Sequence, residues 1–152
     1  MKGKHLILLA FAALPLIAVP ALATPGSGAS ATTLARGLAV EKLVTRGNQP
    51  YDVVVQELTI APGGQTGWHT HPGNAVAVVK SGTLTIYDAK DQTCTGKPYT
   101  AGAVYIDPGY GFVHIGRNES STTPLELVVA YVDVPVGGGV RIDAPDPGNC
   151  AF

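Results

Sequence analysis

The stretch Gly63-Gly64-Gln65-Thr66-Gly67-Trp68-His69-Thr70-His71-Pro72-Gly73 decides the fold. Glycines and a proline frame a His-x-His pair. In an extended strand, side chains two residues apart share a face. His69 and His71 therefore project together, Thr70 points away, and Trp68 has the parity of a packing residue. Two imidazoles on one face can converge on one ion with bonds of about 2.1 Å, as for zinc.

A second segment completes the set. Outside His5, the only histidines are His69, His71 and His114, and the last lies in Gly102 to Asn118 together with Pro108 and Gly111. A third imidazole from another strand makes a facial ligand set and leaves other coordination positions to water or substrate. Histidine pairs are also common on exposed strands, so spacing alone leaves a metal site and surface decoration on level terms.

Around these segments the chain reads as short strands closed by turns. Val53 to Ile60 ends at Ala61-Pro62-Gly63-Gly64, and Ala75 to Val79 at Ser81-Gly82. Thr83 to Tyr87 alternates, Ala103 to Ile106 stops at Asp107-Pro108-Gly109, Phe112 to Ile115 is short, and Leu125 to Val134 is Val-rich. β-Branched and aromatic runs punctuated by Gly and Pro predict an all-β sandwich or barrel. A helical period is legible only over Leu34 to Leu43.

The N-terminus is set apart. Lys2 and Lys4 precede an apolar run from Leu6 to Val19, and Ala21-Leu22-Ala23 is a small-x-small cleavage pattern. That order predicts a signal peptide over residues 1–23 and a secreted or periplasmic protein. The run is too short for a spanning helix and carries Pro15 and Pro20, so no membrane span is expected after its removal. Residues 24–33 are small and polar and predict a flexible leader. Residues 34–152 then form one domain. The formal charge of −1 becomes −3 once Lys2 and Lys4 are lost, and no Lys/Arg stripe is present. Nucleic acid is therefore excluded as a partner. Cys94 and Cys150, the only cysteines of an exported chain, predict a disulfide.

The two histidine segments resemble the paired motifs of the cupin superfamily. Gly63, His69 and His71 fit the first motif, with Gly82 at its end; Gly102, Pro108, Gly111, His114 and Asn118 fit the second. The resemblance covers roughly Gln56 to Tyr131. It implies a single jelly-roll-like cupin barrel, a divalent transition metal (Fe, Mn, Ni or Zn) on the three histidines, a small-molecule ligand, and a homodimer formed through sheet edges. Two departures stand out. Ala75 occupies the position of the family's usual glutamate ligand, and one extra residue separates Pro108 from Gly111.

Ala75 leaves the ion its full charge and an extra open position, which favours a small anionic ligand chelating through two oxygens. Gln56 shares the inward parity of Val54 and Leu58. It either meets a metal-bound water or substrate, or bonds backbone at the barrel mouth. Tyr110 either gates the mouth or lies exposed. No general base accompanies the histidines, since Glu57 faces outward and Asp107 lies at a turn. An enzyme of dioxygenase or isomerase type, a non-catalytic binding module and a vestigial barrel all remain consistent with these residues.

Overall fold

The computed structural model describes residues 23–41 and 50–152. The signal-peptide expectation for residues 1–23 lies outside them except at Ala23. Among the described residues no helix is long and apolar enough to cross a membrane.

Among the described residues, ten antiparallel strands form two ladders. The first runs β7 (Val104–Asp107), β4 (Ala75–Ser81), β9 (Leu125–Val134), β2 (Tyr51–Gln65), β1 (Ser27–Ala39). The second runs β6 (Lys97–Thr100), β5 (Thr83–Asp88), β8 (His114–Arg117), β3 (His69–Thr70), β10 (Ile142–Asp143). The ladders join where Gln65 of β2 pairs with Arg117 of β8, so the sheet closes nearly into a barrel.

Alternation builds the interior. In β4, Ala75, Ala77 and Val79 are buried while Val76 and Val78 face out; in β9, Leu125, Leu127, Val129 and Tyr131 are buried. These side chains join Val54, Ile60, Leu84, Ile86, Tyr105 and Val134 in the main core. Trp68 is buried with Ile115 and Ala144 in a smaller cluster, where it packs as its parity requires.

Two sequence expectations are corrected. Ser27 to Thr33, expected in a flexible leader, is the first half of β1, and Leu34 to Ala39, expected in a helical period, is its second half. This strand pairs with β2 almost residue for residue, yet nearly every side chain in it is exposed. Backbone hydrogen bonds hold it, so no apolar alternation marks it in the sequence.

Two turns deliver the histidines to one place. After His71 the chain crosses from the second ladder to the first through Pro72-Gly73-Asn74. A Cβ at Gly73 would lie 2.0 Å from the Val132 carbonyl oxygen, and one at Gly109 only 1.9 Å from the Gly73 oxygen. Only glycine permits that approach. The extra residue before Gly111 is absorbed in the same corner: Tyr110 takes a positive φ of 51° and donates its backbone N–H to the His71 oxygen at 2.9 Å. Asn118 clamps the opposite end. Its buried Nδ2 donates to the carbonyls of Ile60, Ala61 and Thr123 at 3.0, 3.2 and 2.8 Å.

The disulfide joins Cys94 to Cys150 across 56 residues, with Cα atoms 5.3 Å apart. Asn149 Nδ2 reinforces it by donating to the carbonyls of Asp88 and Asp91 at 3.1 and 2.6 Å. A loop of 56 residues is worth about 4 kcal/mol in the chain-entropy model. Urea unfolding of reduced, alkylated protein should therefore fall below that of oxidised protein by about 2–4 kcal/mol. Equal stabilities would show that the tail is held without the bond.

Candidate metal centre

Register brings the histidines together. His69 in β3 is the direct cross-strand partner of His114 in β8, and His71 follows two residues later. All three are buried, at 5, 6 and 3 % exposure. Their ring centroids are 4.9 Å apart for His69–His71, 4.3 Å for His69–His114 and 5.5 Å for His71–His114. One ligand atom from each lies within 4.8 Å of the others.

Hydrogen bonds orient two of the rings. His69 Nδ1 donates to the Gly67 oxygen at 2.8 Å, and His71 Nδ1 to the Val140 oxygen at 2.6 Å. Each bond turns the Nε2 lone pair of its ring towards the common centre, the arrangement metal-ligating histidines adopt. Burial lowers the proton affinity of both rings, and the backbone hydrogen bonds, with Asp107 beside His71, oppose this without reversing it. The rings are thus neutral, as a metal requires of imidazole.

Two cavities meet at these rings. A narrow one of about 50 Å³ is lined by the three histidines, Asp107, Ala75 and Ala77, among others. A wider one of about 270 Å³ shares His69, His71, Leu58, Thr66 and Tyr131 with it and adds Ser30, Gln56 and Arg141. The Tyr131 ring is tilted against His71 with centroids 5.1 Å apart, and burial pushes its phenol up to about 12.

Gln56 therefore lines the wider cavity; its Nε2 donates to Thr33 Oγ1 at 3.1 Å. Ala75 lies in the narrow cavity wall. Tyr110 lines neither cavity and hydrogen-bonds the Asp133 carboxylate through its hydroxyl.

The expectation that no acid accompanies the histidines is wrong. Asp107 is 1 % exposed, and its Oδ2 is 2.9 Å from His114 Nδ1 and 3.9 Å from His71 Nε2. Burial pushes its carboxyl up, but the His114 and His71 contacts and the Gly109 N–H outweigh that and hold it below the usual carboxylate range. The turn reading failed because β7 extends to Asp107 before the chain turns. The missed signal was alternation: Tyr105 and Asp107 face in, Val104 and Ile106 face out. A buried carboxylate therefore stands directly across the ladder from Ala75. Arg141 was also missed. It follows the glycine run Gly137 to Gly139, outside either histidine segment.

Three buried imidazoles that offer one donor atom each within 4.8 Å of one another fit a divalent transition ion, and the buried Asp107 carboxylate stands beside them. A nearly closed antiparallel barrel with such a cluster inside defines a class of protein, the all-β barrels with a candidate metal site. The cupin domain family matches residues 56–131, half of the chain, and the chain belongs to the cupin superfamily.

The solved structures from Thermotoga maritima and Klebsiella pneumoniae agree on the fold. A cupin-like protein from Thermotoga maritima is similar at 19% identity with a TM-score of 0.57, covering 80% of both chains. A double-stranded β-helix domain protein from Klebsiella pneumoniae is similar at 22% identity with a TM-score of 0.50, covering 73% of this chain and 79% of that one. A cupin domain from Bordetella pertussis is 26% identical with a TM-score of 0.48, covering 72% and 95%. No curated protein matches the chain.

Proposed function

We propose that this cupin holds a divalent transition metal (Fe, Mn, Ni or Zn) on His69, His71 and His114. It binds a small anionic metabolite beside that metal, for a reaction of the dioxygenase or isomerase type. The observation that carries the ligand class is Arg141. Its side chain lines the wall of the wider cavity, whose other walls include His69 and His71. Its Nε is engaged by Asp143 at 2.5 Å, which fixes the guanidinium in place. A planar guanidinium is suited to bidentate recognition of a carboxylate.

A bound ion would supply Lewis acidity and open coordination positions at the floor of the cavity. The chain's own residues then do the rest. Arg141 holds the far end of the anion. Gln56 and Ser30 offer polar contacts along the wall, and Leu58 and Tyr131 exclude water near the rings. The non-catalytic alternative uses the same contacts without turnover.

The test begins with metal analysis of protein prepared without a His tag. Metal-loaded protein is then titrated with dicarboxylates and hydroxy acids while a metal-centred spectrum is followed. Arg141→Ala should weaken the responding anion roughly tenfold, the worth of one charge-assisted contact, while leaving metal content unchanged. An anion response unaffected by the substitution would remove Arg141 from the site. Oxygen uptake or product formation with the same compounds separates catalysis from binding.

Export and pairing belong to the same proposal. The Lys2/Lys4, apolar run and Ala21-Leu22-Ala23 order, with the Cys94–Cys150 bond, supports an oxidising compartment. A long edge strand, β1, supports pairing of two copies through sheet edges. The N-terminal mass of exported protein reads the first, and light scattering the second.

A further inference from the structure

We infer that Asp107 is a fourth ligand of the metal centre, supplying from β7 the carboxylate that position 75 on β4 lacks. The inference rests on the three-histidine metal reading above and adds a residue to it.

Position comes first. Ala75 and Asp107 are direct cross-strand partners in the β4–β7 ladder, and both side chains line the narrow cavity that holds the histidines. Opposed residues of an antiparallel pair carry their side chains to the same face, with Cβ atoms roughly 5 Å apart. A carboxylate moved from one partner to the other therefore still reaches the same space. The methyl group of Ala75 leaves that space open.

Distance comes second. His71 presents Nε2 to the centre because its Nδ1 is engaged by Val140. The three histidine donors themselves lie within 4.8 Å of one another. Asp107 Oδ2 is 3.9 Å from His71 Nε2, so a single ion can reach both. The same oxygen is 2.9 Å from His114 Nδ1, yet that nitrogen has no aligned hydrogen-bond partner. Gly67 and Val140 accept aligned N–H bonds from His69 and His71, whereas Asp107 at 2.9 Å accepts none from His114. An orienting partner sits in line with the N–H; two ligands of a shared ion sit side by side.

Charge and support come third. A carboxylate at 1 % exposure needs a cation or several donors. Oδ1 accepts the Gly109 N–H at 2.5 Å, and Oδ2 has the Tyr105 hydroxyl at 3.3 Å. Those contacts set the direction of the carboxylate and leave Oδ2 facing the histidines. They do not neutralise it, and a divalent ion does.

The experiment uses the full chain with Co(II) as probe. Affinity is read by chelator competition and coordination by the d–d absorption of the bound ion. Asp107→Asn should lower Co(II) affinity at least roughly tenfold and change the d–d spectrum, with far-UV circular dichroism unchanged. Ala75→Glu placed in the Asp107→Asn chain should recover affinity, since the carboxylate then returns from across the ladder. That double variant also guards against an Asp107→Asn chain that folds poorly. Wild-type affinity and spectrum in Asp107→Asn overturn the inference while leaving the three-histidine site standing. Lower affinity with an unchanged spectrum also overturns it, because Asp107 would then act only through His114. Failure of the wild-type chain to bind Co(II) overturns the metal reading itself, and the inference with it.

Discussion

Alanine at His69, His71 or His114 should abolish metal retention, and each single substitution should be about as damaging as the others. The three rings offer one ligand atom each within 4.8 Å of one another, so they can serve only one ion. Loss of an outer partner of a metal ligand already costs roughly 10–100-fold in affinity. Loss of a ligand itself should cost roughly a hundredfold or more on that scale. Elemental analysis after dialysis against a chelator reads the result. The informative comparison is His69→Ala with His114→Ala. They come from different strands, β3 and β8, and are direct cross-strand neighbours. If His114→Ala loses metal while His69→Ala keeps it at the wild-type level, the two rings do not share an ion and the centre is wrongly assembled. Far-UV circular dichroism must accompany the measurement, because each substitution also opens space in a buried region.

The same geometry explains which features were legible in the sequence. A strand could be read from the apolar run Ala75-Val76-Ala77-Val78-Val79, although only the structure shows which of its residues face inward. The histidines were legible because they are few and stand in Gly/Pro-framed segments. Strand β1 was not, because its Ser, Ala, Thr and Gly residues bury no face and its stability comes from backbone pairing. Strands β3 and β10 have two residues each, too few to carry a period. Strand β6 is marked by Pro98, a residue confined to sheet edges, and β6 is an edge. Asp107 was hidden by its neighbours. Asp-Pro-Gly is a turn signal, and here the strand ends on the first of those residues while its side chain still points inward. Arg141 reaches the cavity through the fold of the C-terminal tail, which pairs β10 with β3, a contact 72 residues distant in sequence for Ile142 and Thr70.

Acid should unfold the metal-free protein from the histidine range downward, well before the carboxylates titrate. Burial keeps His69 and His71 neutral in the folded chain, each with its proton affinity lowered from an ordinary value of 6.5. In the unfolded chain both regain that ordinary value. Above it, neither state is protonated, and pH has no effect through these groups. Below it, the unfolded chain takes up protons that the folded chain refuses, so stability falls as pH falls. A ring that stays neutral in the fold contributes about 1.4 kcal/mol per pH unit below that value, and His69 is the ring whose affinity is lowered far. Asp107 acts later. Its folded value is depressed from 3.8, so its favourable contribution is lost only as pH falls through the carboxylate range. Against a typical domain stability of about 5–15 kcal/mol, the histidine effect alone is large. Urea unfolding of chelator-treated protein at pH 7.5 and 5.5 should differ by about 1.4 kcal/mol or more, with the lower pH less stable. His69→Gln should reduce that difference, because the ring whose affinity is lowered farthest is gone. The metal-loaded chain should be more stable at pH 7.5 through mass action and should lose that advantage over the same interval, since protons and metal compete for the same nitrogens. Equal stability at the two pH values would mean that both rings protonate within the folded barrel, and the neutral histidine cluster would have to be abandoned.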